Sequence, residues 1–141
     1  MWRAVDQDGD VLDILVQPTR DRSAAERFFR RLLKRQGRLP HRVITDRLRS
    51  YAAAHARVMP SVIHSTRQYE NNRAEVSHQP TRHRERQMRR FKSAAHAQRF
   101  LAVHGAVHNL FRVGRHLLRA MHTRLLRTRA FHVWHEVTAA A

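Results

Sequence analysis

Turn-forming residues are scarce: four glycines and four prolines in 141 residues mean that long, uninterrupted helices make up most of the fold. The amino-terminal part is the exception. Trp2-Arg3-Ala4-Val5 and Val11-Leu12-Asp13-Ile14-Leu15-Val16 flank Asp6-Gln7-Asp8-Gly9-Asp10. Asp8-Gly9 between β-prone runs predicts a hairpin closed by a tight primed turn. Side-chain alternation predicts Leu12, Ile14 and Val16 as the buried face of the second strand, with Val11, Asp13 and Leu15 opposite. Pro18 ends that strand. Ala24, Ala25, Phe28, Phe29, Leu32 and Leu33 then recur at helical spacing, with Arg27, Arg30, Arg31 and Lys34 on the other sides. This predicts an amphipathic helix, opened by Ser23-Ala24-Ala25-Glu26 as a capping box and stopped by Gly37.

After Pro40, Arg42-Val43-Ile44-Thr45 is a short β-branched run ending at Asp46. A strand reached across a helix is expected to lie parallel to one already in the sheet. Asp46 then falls at the carboxyl end of a buried parallel strand, where open α/β sheets place their ligands. Leu48 to Ala56 predicts a short helix, Pro60-Ser61-Val62-Ile63-His64 a last strand, and Ser65 to Asn72 a loop. From Arg73 the pattern is helical, with a kink or break at Pro80 and weak boundaries near Ser93, Gly114 and Thr123. Phe100, Leu101, Val103, Val107, Leu110 and Phe111 form one core-facing stripe. Leu125, Leu126, Phe131, Trp134 and Val137 form another. There is no internal repeat.

Charge decides the partner. Lys and Arg number 28 against 11 Asp and Glu, a net charge of +17, so a polyanion, foremost nucleic acid, is the expected ligand. At 42% apolar residues the chain has enough to pack a core. The absence of cysteine excludes disulfides, thiolate zinc sites and a catalytic thiol, and fits a reducing compartment. No apolar run approaches the roughly 18 residues of a membrane span, and Met1-Trp2-Arg3 does not begin a signal peptide. The expectation is a soluble cytoplasmic protein.

With so few carboxylates, each position is informative. Asp46 at a strand end and Glu75 at a helix start could together hold a hard divalent cation through oxygen ligands. Two such ions clamp the attacking and leaving oxygens of a phosphoryl displacement. Both have a plainer reading: Asn72-x-x-Glu75 is itself a capping-box pattern, and Asp46 could cap the helix after it. Arg82, Arg84, Arg86, Arg89, Arg90 and Lys92 crowd one short stretch that contains a single acid, Glu85. Such a run is either a solvated helix face or a surface that tracks phosphates. His104 with His108, and His132 with His135, have helical spacing but no third ligand at a recognisable distance, which favours structural or solvent-facing histidines. Trp134 and Phe131 read as core, base stacking being the alternative.

Val43-Ile44-Thr45-Asp46 followed by Leu48-Arg49-Ser50-Tyr51 resembles the second-aspartate motif of DDE (Asp-Asp-Glu) insertion-sequence transposases, most closely the insertion-sequence six family. Asn71-Asn72-Arg73-Ala74-Glu75-Val76-Ser77-His78-Gln79-Pro80-Thr81-Arg82 resembles that family's glutamate motif. Trp2-Arg3-Ala4-Val5-Asp6 and Phe91-Lys92-Ser93-Ala94 match its flanking segments. The resemblance implies an α/β, RNase H-like (retroviral integrase-like) core. In that core Asp46 and Glu75 are the second and third ligands of a two-metal site for Mg²⁺ or Mn²⁺, and Arg82 is a basic residue near the DNA ends. The family's first aspartate lies on a strand upstream of the hairpin, and a helix-turn-helix region precedes it. Neither is found in this sequence, and Asp6, Asp8, Asp10 and Asp13 are not that ligand. The expected organisation is an amino-terminally truncated catalytic core over 1–92 and a helical extension packed on it over 93–141. The expected function is that of a bacterial insertion-sequence transposase, acting on element ends and target DNA as a homo-oligomer near the nucleoid. The alternative is a non-catalytic, basic DNA-binding remnant.

Overall fold

The computed structural model describes residues 1–113 and 118–140. Strand β1 (Trp2–Val5) pairs antiparallel with β2 (Val11–Leu15), Trp2 opposite Leu15 and Ala4 opposite Asp13, before a bulge sets Val5 against Val11. The turn is not the primed one expected. Gly9 alone has positive φ (87°), and its N–H donates to the Asp6 carbonyl at 3.1 Å. The Asp6 carboxylate accepts from the N–H groups of Asp8 and Asp10 at 2.9 and 2.8 Å. That side chain holds the arc in the ordinary turn conformation and leaves the single left-handed step to glycine.

Helix α1 (Arg22–Gln36) ends as expected at Gly37, in the left-handed region with φ 66° and its N–H bonded to Leu33 O. Its cap is Asp21 instead of Ser23: the Asp21 carboxylate accepts from Ala24 N–H at 2.7 Å. Asp21→Ala is therefore expected to lower the urea midpoint, whereas Ser23→Ala leaves it within error. Equal losses would restore the Ser23 cap.

One core gathers Trp2, Ala24, Ala25, Phe28, Phe29, Ala54, Met59 and Val62. A second joins Ile14 to Ala97 and Leu101, with Val11, Val16, Phe91 and Phe100 around it. The hairpin is thus covered on both faces, which corrects the one-sided burial expected of β2. Leu15 packs on the first core. Asp13, on that same face, is buried with its carboxylate 3.0 Å from Arg31 Nε and 2.6 Å from Arg35 Nη1 of α1. A buried carboxylate between two guanidiniums satisfies the requirement that interior charge be paired.

Strand β3 (Arg42–Ile44), helix α2 (Arg49–Val58) and strand β4 (Ile63–Ser65) follow. β3 and β4 are parallel, with Val43 opposite His64. The parallel partner of β3 is therefore β4 and not a hairpin strand, and β3 is half-exposed where a buried strand was expected. Among the described residues the strands form two two-stranded sheets, β1-β2 and β3-β4.

Helices α3 (Asn72–Ser77) and α4 (Gln79–Gln87) are separated by a break just before Pro80, and α5 (Ala94–Phe111) begins past Ser93, both as expected. α5 is tied to β2 by Gln98, which donates to Ile14 O at 3.0 Å and accepts from Val16 N–H at 2.7 Å. Helix α6 (Ala120–Ala139) runs unbroken through Thr123, against the expected boundary there, and Gly114 lies outside the described residues. The fold is mixed α/β, in two compact units, residues 1–102 and 103–141. In the second unit Phe111 meets Phe131 at 5.1 Å and Trp134 at 6.1 Å between ring centroids. The expected stripes are only partly buried: Val103 is 65% exposed, and Leu125, Phe131, Trp134 and Val137 are also exposed. No helix among the described residues is long and apolar enough to cross a membrane.

Candidate functional site

Residues of β1 and of β3 both line one cleft of about 1340 Å³. Phe28, Phe29, Leu32 and Leu33 of α1 line it as well, and Asp46, Glu75, His78 and Arg82 bring the polar chemistry. Both carboxylates singled out in the sequence therefore face one space.

Asp46 sits just beyond β3. Its Oδ1 accepts from Leu48 N–H at 3.1 Å, and its Oδ2 lies 3.7 Å from Arg20 Nη2. It forms a local turn without occupying the cap position of α2, which is Leu48. The backbone beneath it is anchored from β4: Thr45 N–H donates to Ser65 O at 3.1 Å, and Thr45 Oγ1 donates to Asp46 O at 2.9 Å. Thr45 Oγ1 also lies 2.8 Å from His64 Nε2, and the His64 ring stacks on His55 at 4.6 Å. Burial, aided by the Asp46 charge, pushes the nearby Tyr51 hydroxyl up to about 12.

Glu75 lies in the first turn of α3, exposed, and its carboxylate makes no hydrogen bond or ion pair among the described residues. The capping-box alternative is not formed, because Asn72 is already helical and Asn71 before it makes no capping bond. The loop leading to Glu75 is fastened to both parallel strands through Glu70. Its carboxylate accepts from Arg42 Nη2 at 2.9 Å and from the Ser65 hydroxyl. The preceding Tyr69 takes a left-handed φ of 69°. A β3-to-loop clamp thus sets the approach of the Glu75 helix to the Asp46 strand. Two exposed carboxylates suit a hard cation, the Glu75 oxygens being unengaged and Asp46 having to give up its contact with Arg20 to ligate through Oδ2. Among the described residues no group of three potential ligands comes together, so neither histidine pair builds a metal site there.

The basic residues Arg82, Arg84 and Arg86 on α4, and Arg89, Arg90 and Lys92 beyond it, are all exposed. None forms an ion pair with a carboxylate among the described residues. Arg89 and Arg90 end α4 with left-handed φ angles of 55° and 74°, and Arg90 N–H closes back onto Glu85 O at 3.0 Å. A glycine ordinarily fills such a helix stop.

Sequence reasoning missed Arg3, Glu70 and His78, because only the tertiary fold brings them to the cleft. Burial first, then the charges of Arg3 and Arg82, pushes the His78 imidazole down to about 4. Folded His78 stays neutral between pH 6.5 and 4, while the unfolded chain takes up its proton below about 6.5. Its contribution to stability is complete above pH 6.5 and lost as pH falls toward 4. With the site partly solvated, the expected loss is about 1–2 kcal/mol. His78→Gln should flatten the unfolding free energy between pH 7 and 4.5, and an unchanged slope would contradict this.

The family model described as a DDE domain matches residues 1–114. The chain is 32% identical over 123 residues to the transposase for insertion sequence-like element IS431mec of Staphylococcus aureus, strains Mu50 and N315. It is equally similar to the transposase for insertion sequence element IS257 in transposon Tn4003 of Staphylococcus aureus. Each alignment covers 84% of this chain and 53% of the relative, so the chain spans about half the length of the curated relatives it matches. No solved structure matches it. With its aspartate and glutamate motifs on one cleft and the family model matched over most of its length, the chain belongs to the DDE insertion-sequence transposase family.

Proposed function

We propose that this chain is part of the catalytic core of a bacterial insertion-sequence transposase, which cleaves DNA and joins its strands. The observation that carries this reading is the convergence of Asp46 and Glu75 on a cleft bordered by Arg82. Asp46 and Glu75 would hold Mg²⁺ or Mn²⁺. The metals, when bound, lower the pKa of the attacking water and stabilise charge on the leaving oxygen. Asp46, anchored through Thr45 and His64, fixes one ligand. Glu75, fastened through Glu70, fixes the other.

The architecture proposed for the complete core is RNase H-like. β1 and β3 each pair on one side only and both line the cleft, which supports a single central strand between them in this reading. In this reading that strand carries the family's first aspartate and comes from the additional length that the relatives possess. The isolated chain would then hold metal weakly and be inactive, because the two-metal arrangement needs a third carboxylate placed within a fraction of an ångström. The second reading, a non-catalytic DNA-binding remnant, draws on the lack of a third ligand among the described residues.

Arg82, Arg84, Arg86, Arg89, Arg90 and Lys92 are proposed to track DNA phosphates, in a cytoplasmic protein that assembles with copies of itself on element ends and target DNA. Six contacts give a log-affinity slope against log salt of about −5. Arg89→Ala with Arg90→Ala should weaken all duplexes alike and flatten that slope by up to about two. Fluorescence anisotropy across a salt series measures both. A strong preference of this chain for terminal-repeat DNA over random DNA of equal length would refute the sequence-independent mode.

A further inference from the structure

Arg3 is 8% exposed, yet two of its three guanidinium nitrogens have no partner. Nη1 donates to the buried Thr81 hydroxyl at 3.0 Å, which fixes the plane of the group. Nε and Nη2, the side-on edge of the fork, are buried and unbonded. That edge matches two oxygens of a phosphate or carboxylate. A buried guanidinium left half-satisfied is costly, and no carboxylate among the described residues pairs with it.

Its surroundings are also cationic. Arg3 lines the cleft with His78 and Arg82, and the charges of Arg3, Arg82, Arg20 and the amino terminus all act on His78. Glu75 lines the same cleft but forms no ion pair with Arg3. Several positive charges around a buried, half-bonded fork favour an oxyanion, which would displace the groups that now cover Nε and Nη2.

We infer that Arg3, with His78 and Arg82 beside it, forms an anion site that receives one phosphate group next to Glu75. The phosphate is either a DNA backbone group or free inorganic phosphate. Only the DNA source rests on the function proposed above. The site shares Arg82 with the exposed basic run but centres on the buried Arg3 of β1, whose recognition is bidentate.

The test is thermal unfolding of the full chain in chloride and in inorganic phosphate at equal ionic strength. Phosphate should raise the wild-type midpoint by about 4 °C or more through preferential binding to the folded state. Arg3→Met should melt higher than wild type in chloride, having lost an unpaired buried charge, and should show no such gain in phosphate. Arg3→Lys, which keeps the charge without the fork, should lose most of the gain. If Arg3→Met does not fold, the wild-type Arg3 Nε–H resonance serves instead, and it should shift saturably with phosphate. Equal phosphate gains in wild type and Arg3→Met, or an Arg3 resonance indifferent to phosphate, would overturn the site. A gain with acetate and none with phosphate would also overturn it, in favour of a peptide carboxylate. Affinity for a random duplex separates the sources: a roughly tenfold loss in Arg3→Met assigns the site to DNA backbone, and an unchanged affinity assigns it to free phosphate. A chain that binds no DNA yet keeps the phosphate difference would refute the DNA reading and leave the anion site standing.

Discussion

Extended at its amino terminus to the length of the curated relatives, the protein should melt at least about 10 °C higher than the 141-residue chain, and the 141-residue chain should self-associate more than the extended protein in the absence of DNA. The reason lies in two free strand edges. β1 pairs only with β2 and β3 only with β4 among the described residues, and residues of both β1 and β3 line one cleft. Unpaired edges invite pairing with another chain, whatever the net charge. A strand inserted between them would satisfy both edges and cover Leu32 and Leu33, the half-buried side chains of α1 that line the cleft. A gain of several kcal/mol at roughly 3–4 °C per kcal/mol accounts for the rise. Size-exclusion chromatography with light scattering, run across concentrations, follows association directly. A concentration-independent, cooperatively melting monomer of the 141-residue chain, unchanged by the extension, would show that the cleft needs no strand.

The sequence made the local elements legible where local physics decides them. Gly37 stops α1, Pro80 marks the break before α4, and Val43-Ile44 forms the strand that delivers Asp46, each through a backbone or periodicity rule acting over a few residues. What was misread depends on distant parts of the chain. Both faces of β2 are covered because α1 lies on one and α5 on the other, and alternation alone cannot announce a second cover. Asp13 reads as a solvent-facing acid until Arg31 and Arg35 are brought over it. The cap moved from Ser23 to Asp21 because both side chains suit the role and only backbone geometry chooses. In the site, the Asp46 and Glu75 motifs were visible as sequence. Arg3 and Glu70 were not, since their significance comes from Thr81, Arg42 and Ser65, far away along the chain.

The second large effect concerns catalysis. In the extended protein, Asp46→Asn and Glu75→Gln keep side-chain volume and remove a ligand charge. Metal coordination supplies several kcal/mol of transition-state stabilisation, so each change should lower strand transfer on the order of a thousandfold. A purely structural role predicts something else: altered stability with turnover intact. The exposure of Glu75 and its lack of partners in α3 make its substitution nearly neutral for folding, so stability and activity should separate most cleanly there. The measurement is a strand-transfer assay with Mn²⁺ or Mg²⁺ on the extended protein and both variants, each first shown to be folded by its melting curve. The account predicts metal-dependent joining by the wild type and none detectable in either variant, and wild-type turnover in Asp46→Asn or Glu75→Gln would contradict it.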